Sequence, residues 1–143
     1  MIDDLIAAYR GTRYAVLGAD GGTVAEALIG RHVPAVDAVL DAHGARSGVF
    51  ITAWNPRSEP THDDVNADAH ARMAMALASD GLVALPHAGF GEDPAWRAEH
   101  GFFVLDLPEE QAVALAVAHE QNAVVVVERG EAARLVLTSV LDA

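Results

Sequence analysis

Phe50-Ile51-Thr52-Ala53-Trp54-Asn55-Pro56-Arg57-Ser58 is the stretch from which the fold can be worked out. It begins as an apolar run typical of a buried strand and stops abruptly in a tryptophan, an amide, a proline and a hydroxyl. A strand that ends in this way places polar groups and a large aromatic ring at the edge of a core, where ligand sites commonly form. The stretch therefore predicts a strand over 48–54, with a candidate ligand site at its end.

Helical and extended patterns alternate on both sides of this strand. Asp20-Gly21 between two apolar stretches is typical of a hairpin, whereas Val36, Val39 and Leu40 are spaced as on a helix. The predicted elements are, in chain order, a short helix over 2–10, a hairpin of 14–17 and 23–29, a helix over 33–43, the strand 48–54, a helix over 61–80, a brief strand over 82–85, a loop over 86–100, a strand over 102–105, a helix over 106–120, and strands over 122–127 and 134–138.

Several residues indicate where the helices begin and end. Gly44 and Gly81 stand where left-handed residues close a helix. Thr61 with Asp64, and Asp106 with Glu109, have the spacing of capping boxes at helix starts.

This order of elements predicts one α/β (or α+β) domain over residues 1–143. The sheet is expected to be mixed, with about six to seven strands and three main helices. The segment over 122–127 is almost continuously apolar, as in a central strand that is buried on both faces. Helices between strands favour parallel neighbours joined by right-handed crossovers, and they leave the strand order open.

The composition excludes several classes of site and partner. The chain has no cysteine and all nine basic residues are arginines, so thiolate metal sites, a phosphate-binding P-loop and a lysine Schiff base are excluded. A formal net charge of -12 disfavours nucleic acid and anionic membrane surfaces. The apolar runs are short and the acidic start lacks the pattern of a signal peptide, so we expect a cytoplasmic protein without membrane spans.

Trp54, Asn55 and Asn66 are the first candidate binding residues. The indole could stack on a ligand while the amide of Asn55 binds a polar edge, although taken alone the pair is explained more simply by a Trp that closes the core and an Asn-Pro turn. The chain reversal between Pro56 and Thr61 is expected to bring Asn66, early in the next helix, back toward Trp54.

The long predicted loop and the next helix–strand junction supply the other candidates. Trp96 could fold the loop onto the core, and Glu99 could act as a general acid or base if burial raised its pKa. A surface carboxylate paired with an arginine is the alternative for Glu99. Gln121 and Asn122 could contact a ligand or close the helix before them.

His62 and His70 could hold a metal, because they lie two helical turns apart. The Glu that follows the first His in the two-His helix of zinc hydrolases is absent, so a solvated polar face is the simpler interpretation. We predict no metal and no cofactor.

Several of these fragments together resemble a known family. The pattern of the bacterial family DUF3293 is similar to Tyr9-x-x-Thr12-x-Tyr14, the string from Phe50 to Ser58, Asn66, Asp93-Pro-x-Trp96-x-x-Glu99 and Gln121-Asn122-Ala123. The resemblance covers most of the chain and implies that these polar residues belong to one recurring pattern. It implies no activity, cofactor or catalytic residue.

Two functions remain open at this point. In the first, Trp54, Asn55, Asn66, Trp96, Gln121 and Asn122 line a pocket for a polar small molecule, and Glu99 is the catalytic group if the protein is a hydrolase or transferase. In the second, the same residues brace a non-catalytic module that docks a partner protein. The sequence does not determine the ligand, the partner or the oligomeric state.

Overall fold

The computed structural model describes residues 2–142, which form one seven-stranded sheet with helices on both faces. The helices are α1 (Ile2–Arg10), α2 (Pro34–Ala42), α3 (Asp63–Ser79) and α4 (Glu109–Ala118). The strands are β1 (Arg13–Leu17), β2 (Thr23–Ala27), β3 (Ser47–Thr52), β4 (Ala84–Phe90), β5 (Glu99–Leu105), β6 (Ala123–Glu128) and β7 (Arg134–Leu137). The predicted α/β class and strand number are confirmed.

The strand order is β2-β1-β4-β5-β3-β6-β7, and every ladder is antiparallel. The expected parallel neighbours are therefore wrong. In β3-α3-β4 the helix does connect two strands that run the same way, but β5 lies between them. In β5-α4-β6 the two strands also run the same way, and β3 lies between them. These are split β-α-β units, in which an antiparallel strand fills the gap left by the crossover.

The predicted loop over 86–100 is wrong at both ends, because 86–90 belong to β4 and 99–100 to β5, and these strands pair as a hairpin. Pro86, His87, Ala88 and Gly89 have low strand propensity, which hides the strand in the sequence. The ladder with β1 begins only at His87, so the missing N–H of Pro86 removes no bond to that neighbour. The connection that remains is 91–98.

The two faces of the sheet carry separate cores. Val36, Val39 and Leu40 of α2 pack on one face, against a cluster that includes Phe50 and Phe103. The other face carries α3 and α4, whose buried residues pack against alternate residues of the same strands; they are Ala69, Met73, Leu77, Ala112 and Ala116. β6 contributes to both cores, as a central strand buried on both faces should.

The glycines predicted to end two helices are confirmed, but the acidic residues predicted to cap two helix starts are not. Gly44 (φ 65°) and Gly81 (φ 71°) are left-handed residues beyond α2 and α3, as predicted. Neither predicted capping box forms. His62 and Pro108 precede α3 and α4 without capping side-chain bonds. Asp106 instead accepts bonds from the backbone N–H groups of Arg46 (2.9 Å) and Ser47 (3.2 Å), across the β3–β5 pair.

The sheet curls so that its two edges approach each other at one end. Ile29, just after β2, forms an isolated parallel bridge with Ala133, just before β7. The Gly30 N–H donates to the Ala133 carbonyl at 2.7 Å, and the Ala133 N–H donates to the Arg31 carbonyl at 3.1 Å. Within residues 2–142, no helix has the length and apolar character needed to cross a membrane.

Candidate functional site

The chain turns sharply after β3 through a series of left-handed residues. Asn55, Arg57 and Ser58 have backbone φ values of 48°, 58° and 60°, which residues other than glycine rarely adopt. The Arg57 N–H donates to the carbonyl of Glu120 (2.8 Å), and the Ser58 N–H donates to the carbonyl of Asn55 (2.8 Å). These bonds hold a turn of the strained kind that clusters at functional sites.

Asn55 is the centre of a buried amide network. Its Nδ2 donates to Glu99 Oε2 at 2.7 Å, and its Oδ1 accepts from the Thr61 N–H (3.0 Å) and from Asn66 Nδ2 (3.1 Å). The Asn55 N–H in turn donates to Asn66 Oδ1 at 2.9 Å. The structure thus brings together Asn55, Asn66 and Glu99, which are far apart in sequence, and it uses both amides to hold Glu99 in place.

Gln121 and Asn122 support the same turn from the junction of α4 and β6. Gln121 Nε2 donates to the carbonyl of Trp54 at 3.0 Å, and Asn122 Nδ2 donates to Ser58 Oγ at 3.0 Å. Both side chains are buried. Gln121 also lines the cavity described next, whereas Asn122 does not line it and contacts Ser58, which does.

A cavity of about 560 Å³ lies between α1 and the face of the sheet that carries α2. α1 and the 91–98 connection form its outer walls. Four aromatic side chains line it: Tyr9, Tyr14, Phe50 and Trp96. Its polar side chains include Asn55, Ser58, His87, Glu99 and Gln121. Since ligand pockets usually occupy roughly 300–1,000 Å³ and are mostly apolar with a few placed polar groups, this is a cavity of the expected size and character.

Glu99 is a partly buried carboxyl group that lines this cavity. Burial raises its pKa above the ordinary value, and the hydrogen bond from Asn55 opposes that shift. Among residues 2–142 no arginine pairs with it, so the predicted alternative of an ion-paired surface carboxylate does not apply. A carboxyl group of this kind can bind a hydrogen-bond donor or transfer a proton.

Of the two tryptophans, Trp96 lines the cavity and Trp54 does not. Trp96 is 42% exposed. Trp54 points away from the cavity, into a smaller hollow of about 210 Å³ that Trp96 also lines. Its ring lies 5.2 Å from that of His100, and its buried Nε1 has no partner among the described residues. Trp54 reaches the site through its backbone carbonyl, not its indole.

The two histidines of the possible metal pair are not arranged as ligands. The ring of His70 stacks on Phe102 with centroids 4.4 Å apart, and His62 is an exposed residue at the start of α3. In the part of the chain that the structure describes, no three His, Cys, Asp or Glu side chains gather in a metal-binding group.

Residues 51–124 match the family described as "Protein of unknown function (DUF3293)". The match covers just over half of the chain and spans the turn, the amide network and Glu99. The chain belongs to the DUF3293 family. No curated protein and no solved structure matches it.

In this DUF3293 chain, α1 lies outside the matched range yet forms one wall of the cavity. The role of α1 was not predicted from the sequence, and neither were those of Tyr9 and Ser58. The Tyr9 hydroxyl lies 3.4 Å from Ser58 Oγ, and Tyr14 donates to the carbonyl of Tyr9 at 3.1 Å. The amphipathic pattern over 2–10 and the Tyr9-x-x-Thr12-x-Tyr14 fragment are the signals that could have found them.

The role of His87 was not predicted either, because a residue in a predicted loop has no defined side-chain direction. His87 projects from β4 toward the cavity, is 4% exposed, and packs against Phe50 with ring centroids 4.9 Å apart. Its Nδ1 bonds to the carbonyl of Ala15 at 2.9 Å. Burial lowers the pKa of His87 from 6.5 to about 4, so the ring is neutral near pH 7.

The low pKa of His87 predicts a loss of stability in acid. A folded-state pKa below the unfolded value stabilises the protein above about pH 6.5, and this contribution is lost as the pH falls toward about 4. The difference amounts to about 3 kcal/mol. The His87→Phe variant, which keeps an aromatic ring, should lose correspondingly less stability than the unmodified protein between pH 7 and pH 4 in urea unfolding experiments. Equal losses in the two proteins would contradict the assignment.

Proposed function

We propose that this DUF3293 domain binds a small molecule in the cavity between α1 and the sheet, and that Glu99 recognises the polar end of that molecule. The observation that carries the proposal is a partly buried carboxyl group without a cationic partner in residues 2–142, held toward a cavity of about 560 Å³ by Asn55. Burying such a group without full compensation is costly, and a bound ligand that donates to it would offset the cost.

The residues around Glu99 favour binding over acyl transfer. Ser58 lines the cavity, but its hydroxyl contacts the Tyr9 hydroxyl and the Asn122 amide, neither of which is a general base at neutral pH. For a hydrolase or transferase, Glu99 is the group that would move the proton, acting on a ligand or water in the cavity. Trp96, Asn55 and Gln121 would contact the ligand, while Asn66, Asn122 and Trp54 hold the turn.

The docking module is the second candidate, and the buried network favours it in one respect. Amides that bond to one another, as Asn55 and Asn66 do, are what a bracing role requires. The cavity beside them has no part in that role. A ligand that occupies the cavity therefore distinguishes the two functions.

The test is a thermal-shift screen of the purified protein against a metabolite library. A ligand at one hundred times its dissociation constant stabilises by about 2.7 kcal/mol, which is a shift of about 8 °C for a domain of this size. The ligand-induced rise in melting temperature should fall sharply in Glu99→Gln, which keeps an acceptor for Asn55. It should also fall sharply in Ala8→Phe, which fills the cavity from α1. Glu131→Gln, the same change at an exposed residue, should leave it intact.

Two results would overturn the proposal. One is a library without any stabilising compound. The other is a set of hits whose shifts are the same in Glu99→Gln, Ala8→Phe and the unmodified protein.

A further inference from the structure

The cavity holds two hydrogen-bond acceptors that no protein donor occupies within residues 2–142. The first is Oε1 of Glu99, since Asn55 donates to Oε2. The second is Nε2 of His87, since the bond of that ring to the protein is made by Nδ1. A ligand that fills this cavity meets both groups.

The hydrogen bond to Ala15 fixes which nitrogen of His87 carries the proton. A backbone carbonyl can only accept, so Nδ1 is the protonated nitrogen. The neutral ring then has a lone pair on Nε2. His87 is 4% exposed and lines the cavity, and its Nε2 is not among the enclosed atoms that lack a partner. The nitrogen therefore contacts the cavity and is an acceptor there, not a donor.

The sheet register places the two acceptors close to each other. His87 pairs with Gly101 and Gly89 pairs with Glu99, so His87 and Glu99 are diagonal neighbours on one face of the β4–β5 hairpin. The Cα atoms of such neighbours, which lie on adjacent strands, are about 7–8 Å apart. Gly89 stands next to both and has no side chain, which leaves room for a ligand group between the imidazole and the carboxyl.

The walls of the cavity suit an organic cation. Tyr9, Tyr14, Phe50 and Trp96 line it, and aromatic rings attract positive charge. No arginine lines the cavity in the described part of the chain, and Glu92 and Asp93 lie at its rim beside Trp96. A phosphate or a carboxylate would find no cation among the lining residues and would meet the carboxyl groups of Glu99, Glu92 and Asp93.

We propose that the ligand is a protonated amine on an apolar or aromatic body, and that its ammonium group donates to Glu99 Oε1 and His87 Nε2. The inference rests on the proposed function and names the ligand class for the same cavity. An ammonium group carries three donors and no acceptor, which suits a cavity lined by two acceptors from neighbouring strands. The hydrocarbon body would pack against the aromatic walls.

The test compares amines with analogues that differ only in charge. Hexylamine, 2-phenylethylamine and tryptamine are titrated calorimetrically into the protein at pH 7, each beside the alcohol and the carboxylate of the same skeleton. We expect at least one amine to bind 10-fold or more tightly than its alcohol, and the matching carboxylate to show no binding.

Two variants test the contacts. In Glu99→Gln the amine should lose about 10-fold in affinity while the affinity for the alcohol is unchanged. The control Glu131→Gln should bind the amine and the alcohol as tightly as the unmodified protein does. His87→Phe keeps the ring and removes the acceptor, so it too should weaken only the amine. Because His87→Phe could disturb the fold, ¹⁵N NMR of the unmodified protein gives an independent measurement, in which His87 Nε2 should have the shift of an unprotonated nitrogen.

The outcomes separate this inference from the proposed function. If the alcohols or the carboxylates bind as tightly as the amines, or if the metabolite screen yields only neutral and anionic ligands that depend on Glu99, the amine class is wrong and the binding function stands. If none of the three amines binds, the inference is likewise overturned. A proton on His87 Nε2 would contradict it directly.

Discussion

Replacing Asn55 by alanine is expected to lower the free energy of unfolding by about 3–5 kcal/mol. The substitution removes the acceptor of the Thr61 N–H and of Asn66 Nδ2, and the donor to Glu99. Each buried polar group left without a partner costs about 1–3 kcal/mol. Asn55 also has a φ of 48°, where alanine is disfavoured by about 1–2 kcal/mol.

Asn55→Gly separates the two causes. Glycine adopts the left-handed conformation without strain, so this variant loses the hydrogen bonds alone and should be about 1 kcal/mol more stable than Asn55→Ala. Urea unfolding of the three proteins at pH 7 measures both differences. If both variants unfold within about 0.5 kcal/mol of the unmodified protein, the network does not hold the turn. Because this residue is structural, Glu99→Gln is the cleaner probe of binding.

Gly101→Ala is expected to destabilise the protein by about 4 kcal/mol or more, beyond the usual range for overpacking. A Cβ atom at Gly101 would lie 2.2 Å from the carbonyl oxygen of Ile51 and 3.0 Å from the Cα of Thr52. Both atoms are backbone of β3, which is held between two neighbouring strands and cannot move aside. The substitution should therefore disrupt the β3–β5 pairing just beyond Glu99.

Gly91→Ala is the matched control, because nothing lies within 4 Å of a Cβ atom at that position. It should change the free energy of unfolding by less than about 0.5 kcal/mol. Thermal and urea unfolding of the two variants beside the unmodified protein provide the comparison. Similar stabilities for Gly101→Ala and Gly91→Ala would show that β3 and β5 are not paired as described.

Much of the fold could be predicted because local patterns and tertiary structure agree. The Asp20-Gly21 turn, the apolar spacing of α2 and the β-branched run of β6 each indicate the element that forms. β4 could not be found in this way. Its Pro-His-Ala-Gly core has no strand propensity of its own and becomes a strand because β1 and β5 offer bonds on both sides.

The candidate site could be predicted in part for a related reason. The end of a strand beside Trp54 and Asn55 indicated where polar groups would gather, and the structure places Asn55, Asn66 and Glu99 together there. The direction of the Trp54 indole depends on packing with His100, which no spacing reveals. His87 depends on β4, so the error in the strand concealed the second acceptor.

The first helix has a consequence for how a guest would reach the cavity. No residue of α1, Ile2–Arg10, is fully buried, and Tyr9 ties the helix to the rest of the domain through Ser58 and Tyr14, so few contacts have to break when this helix moves away. Elements of this kind undergo local opening at far lower free energy than the whole domain. Amide protons of α1 should then exchange with solvent while those of β3 and β6 stay protected, and a guest could exchange on the timescale of that opening without any melting of the two cores.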